Sequence, residues 1–188
     1  MSGQSPSNAS RANAPALSEH EGMLLALIIR QQPATAYKLL KIFENSPVTS
    51  INASKGQLYP AIRRLKERKL IAARKVRGDG RNVEELEVTR LGQAAVREWV
   101  MDVSENHVVL DDPLRTRILS LDLLSREERL EWAARAKELV KKRGEAIEAY
   151  NRSVSVPYQA FVHRGAMEMV DSKAEWLDEL LYHIARGD

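Results

Sequence analysis

Between Lys55 and Arg81 the chain places ten basic side chains and only two acidic ones, a local charge of +8. Cations at that density neutralise a polyanion well, because each one that meets a phosphate releases a condensed counterion. Part of the run has a second capability. Lys55, Gln57 and Arg63 alternate with Leu58, Ala61, Ile62 and Leu65, which recur at helical spacing. Polar side chains on such a helix can enter the major groove and read base edges. Arginine pairs with guanine and glutamine with adenine, each worth roughly 1–3 kcal/mol of discrimination. Ser54 stands ahead of the helix as a cap or a phosphate contact. Arg64, Lys66, Arg74, Lys75, Arg77 and Arg81 supply the sequence-independent electrostatic part, with Arg81 placed to reach a minor groove. Any one of these cations, taken alone, reads equally well as an ordinary solvated charge. The cluster as a whole argues for a nucleic-acid duplex.

These side chains need a scaffold, and the flanking residues predict one. Ser18 with Glu21 three positions on forms a capping-box pattern that starts a helix running to Arg30. Thr35 caps a second helix, Ala36 to Asn45, with Tyr37, Leu39, Leu40 and Phe43 as its buried face and Lys38 and Lys41 opposite. The third helix follows. Pro60 leaves its start open: either the first turn is irregular, or the regular helix begins near Tyr59 with Pro60 at its first position. Leu70–Arg77 and Val83–Thr89 then alternate as strands around a Gly-containing link, the signature of a hairpin. Glu84, Glu85 and Glu87 on the second strand would repel phosphate, and are expected to pair with Arg74 and Lys75 across the hairpin. Thr89 starts a fourth helix with Leu91, Ala95, Trp99 and Val100 as candidates for burial. Three helices, a hairpin and a further helix in this order predict a winged helix-turn-helix over residues 17–104.

The rest of the chain reads differently. Residues 1–16 are rich in Ser, Asn, Ala and Pro and are expected to be a disordered tail. Residues 105–188 are expected to be helical, making the whole mainly α. Pro113 opens one helix, Ser125 with Glu128 caps a long one to about Arg152, and another runs from about Tyr158 to Arg186. Ala133, Val140, Ile147 and Val154 recur every seven residues on one side of the long helix. Trp132, Ala136, Leu139, Ala146 and Tyr150 line another. Two apolar faces exceed what a lone helix pair buries, so a second subunit is expected against them. The halves also differ in charge, +6 over residues 17–100 and −4 over residues 101–188. There are no cysteines, so disulfides and thiolate metal sites are excluded, which suits a cytoplasmic protein. The longest apolar run, Met23–Ile29, is too short to span a bilayer.

The stretch Ser54-Lys55-Gly56-Gln57-Leu58-Tyr59-Pro60-Ala61-Ile62-Arg63-Arg64-Leu65, continuing to Leu70-Ile71, resembles the recognition helix of the PadR family of bacterial transcriptional regulators. Thr89-Arg90-Leu91-Gly92 resembles that family's Thr-x-x-Gly, and Arg164-Gly165 with Glu175-Trp176-Leu177 is similar to its C-terminal region. The chain departs from the family at Ala36-Tyr37, where Gly-Tyr is usual, and at Glu85-Leu86, where paired aromatics are common. The resemblance implies that Tyr59 contacts phosphate. It also implies a homodimer with interlocking C-terminal helices, and repression relieved by a small molecule; a twofold dimer in turn calls for a palindromic operator.

Trp99, Trp132, Tyr158, Phe161 and Trp176 could line a pocket for a small aromatic effector, although core or dimer packing explains them as simply. Nothing points to an enzyme or to a bound cofactor. His20, His107, His163 and His183 do not fall at metal-ligand spacings, and no phosphate loop or nucleophile elbow occurs. A protein-interaction scaffold without DNA binding is the alternative reading, since winged helices also serve that use.

Overall fold

The computed structural model describes residues 16–47, 55–77, 82–108 and 112–187. The expectations for residues 1–15, for Ser54 and for Arg81 lie outside them, and Lys55 and Arg77 are described by backbone alone. The chain divides into two compact units, Met1–Asn45 with Thr49–Val108, and Ser46–Val48 with Val109–Asp188.

The first unit is a winged helix-turn-helix. Helix α1 (Glu19–Gln31) begins at the capping box: Ser18 Oγ accepts the Glu21 N–H, and the Glu21 carboxylate accepts the Ser18 N–H. A two-residue strand β1 (Ala34–Thr35) leads into α2 (Ala36–Asn45), whose first turn is capped by Thr35 Oγ1 accepting the Lys38 N–H at 3.2 Å. Helix α3 spans Lys55–Glu67 with Pro60 inside it. The helix therefore starts well before Tyr59. The proline removes one bond to the carbonyl of Gly56, an exposed residue whose carbonyl solvent can reach. Strands β2 (Ile71–Arg77) and β3 (Asn82–Val88) form the wing, and β1 adds to the other edge of β3, giving the order β1-β3-β2, all antiparallel. Helix α4 (Arg90–Met101) and a 3-10 turn at Glu105–His107 complete the unit.

One apolar core holds these elements: Leu24, Leu25 and Ile28 of α1, Leu39, Leu40 and Phe43 of α2, Leu58, Ala61, Ile62 and Leu65 of α3, Leu86 and Val88 of β3, and Ala95 and Val96 of α4. The predicted α3 stripe is buried throughout. Two predicted faces need correction. Tyr37 is exposed, because α2 presents its first turn to solvent. In α4, Leu91 and Val100 are exposed, while Gly92, Ala95 and Val96 are buried. The helix is rotated to bring Gly92 against the chain at Leu70, where an added Cβ would lie 2.1 Å from the Leu70 oxygen.

The second unit is a helical hairpin with a short helix beside it. Helix α5 (Pro113–Ile118) is capped by Asp112 and is followed by a 3-10 turn at Leu121–Leu123. Helices α6 (Arg126–Ser153) and α7 (Gln159–Arg186) pack along each other. Ala133, Ala136, Val140 and Ile147 of α6 are buried, as are Leu177 and Ile184 of α7. Gly144 lets the helices approach closely, since a Cβ there would sit 3.1 Å from Val170 Cγ1. Polar ties fix the pairing. Lys137 pairs with Asp178, and Arg126 donates to the carbonyls of Ile184 and Ala185 at the α7 C-terminus. The apolar residues of α7 split: Val170, Leu177 and Ile184 turn inward, while Phe161 and Val162 stay exposed. No described helix is long and apolar enough to cross a membrane.

Candidate nucleic-acid interface

Burial of Leu58, Ala61, Ile62 and Leu65 fixes what α3 shows to solvent. Counting 100° per residue, its outward line is Gly56, Tyr59, Pro60, Arg63 and Glu67, with Gln57 and Arg64 on one flank and Lys66 on the other. Tyr59 is 48% exposed, and the Arg63 side chain 75% exposed. The only ion-pair partner of Arg63 among the described residues is Glu67, one turn on and 3.9 Å away. Gln57, Tyr59 and Arg63 thus stand on a rigid helix with their side chains open to solvent, Arg63 held only loosely by Glu67.

Other cations of the cluster are already engaged. Glu21 is the one buried charged residue described, and two guanidiniums converge on it: Arg64 Nε at 3.2 Å and Arg68 at 2.9 Å. Burial alone would push the Glu21 carboxyl up. The Ser18 N–H, Arg64 and Arg68 outweigh that and hold it below its ordinary 4.5. Beside it, burial and then the Arg64 charge lower the pKa of His20, favouring the neutral ring. Arg64 and Arg68 therefore clamp α3 to the first turn of α1. Arg68 also donates to the Ala16 carbonyl at 2.6 Å.

The wing carries its own pairings. The register sets Arg74 opposite Glu85, Lys75 opposite Glu84, and Ala72 opposite Glu87. Partners in a ladder share a face, so Lys75 and Glu84 lie on the same side as buried Ile71, Leu86 and Val88, beyond the end of the core. Arg74 and Glu85 lie on the outer side and pair at 3.0 Å. Lys66 of α3 reaches Glu84 at 2.6 Å. This bond and the Lys66 charge, with a smaller part from Lys75, depress the Glu84 pKa. The expected pairing of the wing acids with the wing cations holds for Arg74, and Glu84 takes a partner from the helix as well.

The wing is anchored at its far end by Thr89. Its hydroxyl donates to the Lys69 carbonyl at 2.8 Å, and its oxygen accepts the Gly92 N–H as the cap of α4. Gly92 is required because α4 starts against the Leu70 carbonyl. The Thr-x-x-Gly spacing is thus a joint between wing and helix.

Sequence reasoning passed over the ion pairs of Glu21 with Arg64 and Arg68, and the reach of Lys66 to Glu84. Glu21 was legible only as half of a capping box, and its two arginines lie 43 and 47 residues away. Lys38 and Lys41 on α2 were placed on the outer face but not singled out. Exposed Tyr37 joins them, with the Lys41 ammonium 5.8 Å from its ring centroid.

The aromatic residues expected to line an effector pocket are spread out. Trp99 lies in the first unit, against Gly22, and its indole N–H donates to Glu19 at 3.1 Å. In the second unit Trp132 packs on the cluster of Ala136, Val140 and Leu177, Trp176 is half-buried, and Tyr158 and Phe161 are largely exposed. Phe161 borders a shallow depression with Ala160 and Arg164. No group of three metal-ligating side chains occurs among the described residues.

Residues 24–98 match the model of the transcriptional regulator PadR-like family. No curated protein matches the chain in sequence. Among solved structures, Bacillus subtilis PadR in complex with operator DNA is similar, with a TM-score of 0.75 at 18% identity over 89% of this chain and 99% of that one. The PadR-like transcriptional regulator BC1756 from Bacillus cereus aligns with a TM-score of 0.72 at 15% identity, covering 92% and 99% of the two chains. Bacillus subtilis PadR in complex with p-coumaric acid gives 0.72 at 18% identity over 88% and 98%. At these identities the likeness establishes a shared fold.

Proposed function

We propose, from the match of residues 24–98 to the model of the transcriptional regulator PadR-like family, that the chain is a homodimeric repressor that binds a palindromic duplex operator and is released by a small aromatic effector. One observation carries the DNA-binding part: Gln57, Tyr59 and Arg63 are all exposed on α3, with Arg63 at the centre of its outward side, while the opposite side is locked into the core. In this reading Arg63 and Gln57 read base edges and Tyr59 meets phosphate, with Ser54 and Lys55 ahead of them at the helix start. Arg74, Lys75, Arg77 and Arg81 carry the wing to the backbone. Arg64 and Lys66 contribute less, because Glu21 and Glu84 hold them.

The apolar residues left open on α6 and α7 support the dimer. Two copies would set two α3 helices about one helical turn of DNA apart. The effector is supported by the p-coumaric acid complex of the Bacillus subtilis protein and by the exposed aromatics Tyr158 and Phe161. A ligand that prefers the dimer geometry unable to span both half-sites would release the operator.

The test is selection of bound genomic fragments, followed by a salt titration on the selected duplex. A palindrome is expected, with affinity falling steeply as salt rises. A flat salt response would favour the scaffold reading instead. That reading draws on one observation: Arg63, Arg64, Lys66, Arg68 and Arg74 all have carboxylate partners within the chain.

A further inference from the structure

We propose that Glu84 is a discrimination residue: its carboxylate, bonded to Lys66 of α3 and set across the ladder from Lys75 of β2, holds these two cations back from phosphate and keeps sequence-independent DNA binding weak. The inference rests on the DNA-binding reading above.

The geometry is specific. Lys66 Nζ lies 2.6 Å from Glu84 Oε2, and Lys75 is the direct cross-strand partner of Glu84. All three groups sit where the recognition helix faces the wing, on the core side of the sheet but past the end of the core. A phosphate entering that space meets two cations whose charge is already half answered by a fixed anion. The attraction is reduced, and a cation held by a carboxylate neutralises less phosphate charge, so fewer of the duplex's condensed counterions are released. Both effects lower the non-specific part of the affinity, which is a phosphate part. Base contacts from Arg63 on the outward line of α3, and from Gln57 on the flank away from Lys66, are untouched, so the ratio of specific to non-specific binding rises. The ion pair is a poor candidate for a purely structural role, because exposed pairs stabilise a fold by about 0–1 kcal/mol.

Glu87 supplies the control. It lies on the same strand, three residues on, but on the opposite side of the sheet, across from Ala72. Removing its charge changes the net charge of the protein equally without freeing Lys66 or Lys75.

The experiment measures binding of a fluorescent random-sequence duplex of about 30 base pairs by the full-length protein, E84Q and E87Q, from about 50 to 300 mM salt. E84Q is expected to tighten binding roughly three- to tenfold near 0.1 M and to steepen the log–log salt slope by about 0.9 per freed cation. E87Q is expected to leave both near wild type. Against a selected operator, E84Q should lose discrimination. Equal effects of E84Q and E87Q would overturn the proposal, because net charge would then explain both. Weaker binding by E84Q with an unchanged melting temperature would also overturn it, since Glu84 would then be a wing strut. Wild-type protein that binds no duplex at any salt removes the DNA-binding reading and this inference together.

Discussion

The winged-helix unit closes its own core, and the helical unit does not. Among the described residues, seventeen buried apolar side chains belong to the first unit's single cluster, and only seven others lie in the second. The second unit is of similar length, yet it leaves Leu119, Leu123, Leu139, Tyr158, Phe161, Val162, Met169 and Tyr182 largely exposed. A folded region that exposes this much apolar surface marks an interaction face. The charge pattern differs in the same sense. The first unit uses its surface for cations arranged on a rigid frame, while the second leaves an apolar surface open, which the proposed dimer would cover. In the proposed dimer, this build would separate reading DNA from setting the spacing of the two readers.

The sharpest way to break this comparison is to make one change in both units. Gly92→Ala in the first unit puts a Cβ 2.1 Å from the Leu70 oxygen and 2.7 Å from Val88 Cγ1. Neither backbone nor strand can yield cheaply, so we expect a loss of roughly 3 kcal/mol or more, or failure to fold. Gly165→Ala in α7 meets nothing within 4 Å. Helix propensity should there stabilise by up to about 1 kcal/mol. Denaturant titration of both variants decides it. Similar losses at the two sites would mean that the second unit is as tightly closed as the first.

Association comes next in size. Met169 is 64% exposed on the same side of α7 as Val162 and Gly165. Met169→Glu should weaken the dimer by about 2–4 kcal/mol, some 30- to 1000-fold in dissociation constant, while helicity stays unchanged. Sedimentation velocity across a concentration series reads this directly, and an unchanged dimer moves the interface elsewhere. A point variant is preferable to deletion of α7, which would strip the cover from Val140 and Ile147 of α6.

How far these features were legible depends on whether their cause is local. The α3 stripe repeats within one helix, so spacing alone reveals it, and the hairpin announces itself by alternation and glycines. Helix rotation is not local. Leu91 and Val100 look as apolar as Val96, but the joint at Thr89, Gly92 and Leu70 turns α4 so that only the last is buried. Charge pairing is less local still. Arg63 and Arg64 are identical in the sequence, yet one faces solvent and the other is claimed by a carboxylate two helices earlier. Composition gave the +8 cluster, but how much of it remains free had to come from the fold.

The Glu21 clamp tests that point through pH. Its carboxyl is lowered from 4.5 in the folded state, so its stabilisation is complete above about pH 4.5 and fades as pH falls through the folded value. His20, also lowered, works in the same direction: the fold favours the neutral ring, so stability declines as pH drops below about 6.5. Glu21→Gln keeps a capping side chain but loses the charge. We expect a cost of about 1–2 kcal/mol at neutral pH, below that of a fully buried pair because Arg64 is half exposed. The acid limb of the stability curve below pH 4.5 should flatten. An acid limb identical to wild type would mean that the clamp is not what acid breaks.

The smallest effects return to the contrast between the units. Each contains one described non-glycine residue with left-handed backbone: Lys69 at φ 58° after α3, and Tyr158 at φ 61° before α7. Lys69 ends its helix with its own N–H bonded to the Lys66 carbonyl and the next N–H bonded to Leu65, a geometry that glycine adopts without a Cβ penalty. Lys69→Gly should therefore stabilise the first unit by up to about 1 kcal/mol. The same relief is available to Tyr158→Gly, but the tyrosine ring is 79% exposed in the unit whose apolar surface the proposed dimer would cover. Relief of backbone strain and loss of a contact ring should oppose each other there. Folding of dilute Tyr158→Gly monomer should be slightly firmer, and its dimer weaker. If both substitutions acted on folding alone, with dimer affinity untouched, the ring of Tyr158 would lie outside the association surface, and the open face would have to be drawn from α6 and the rest of α7.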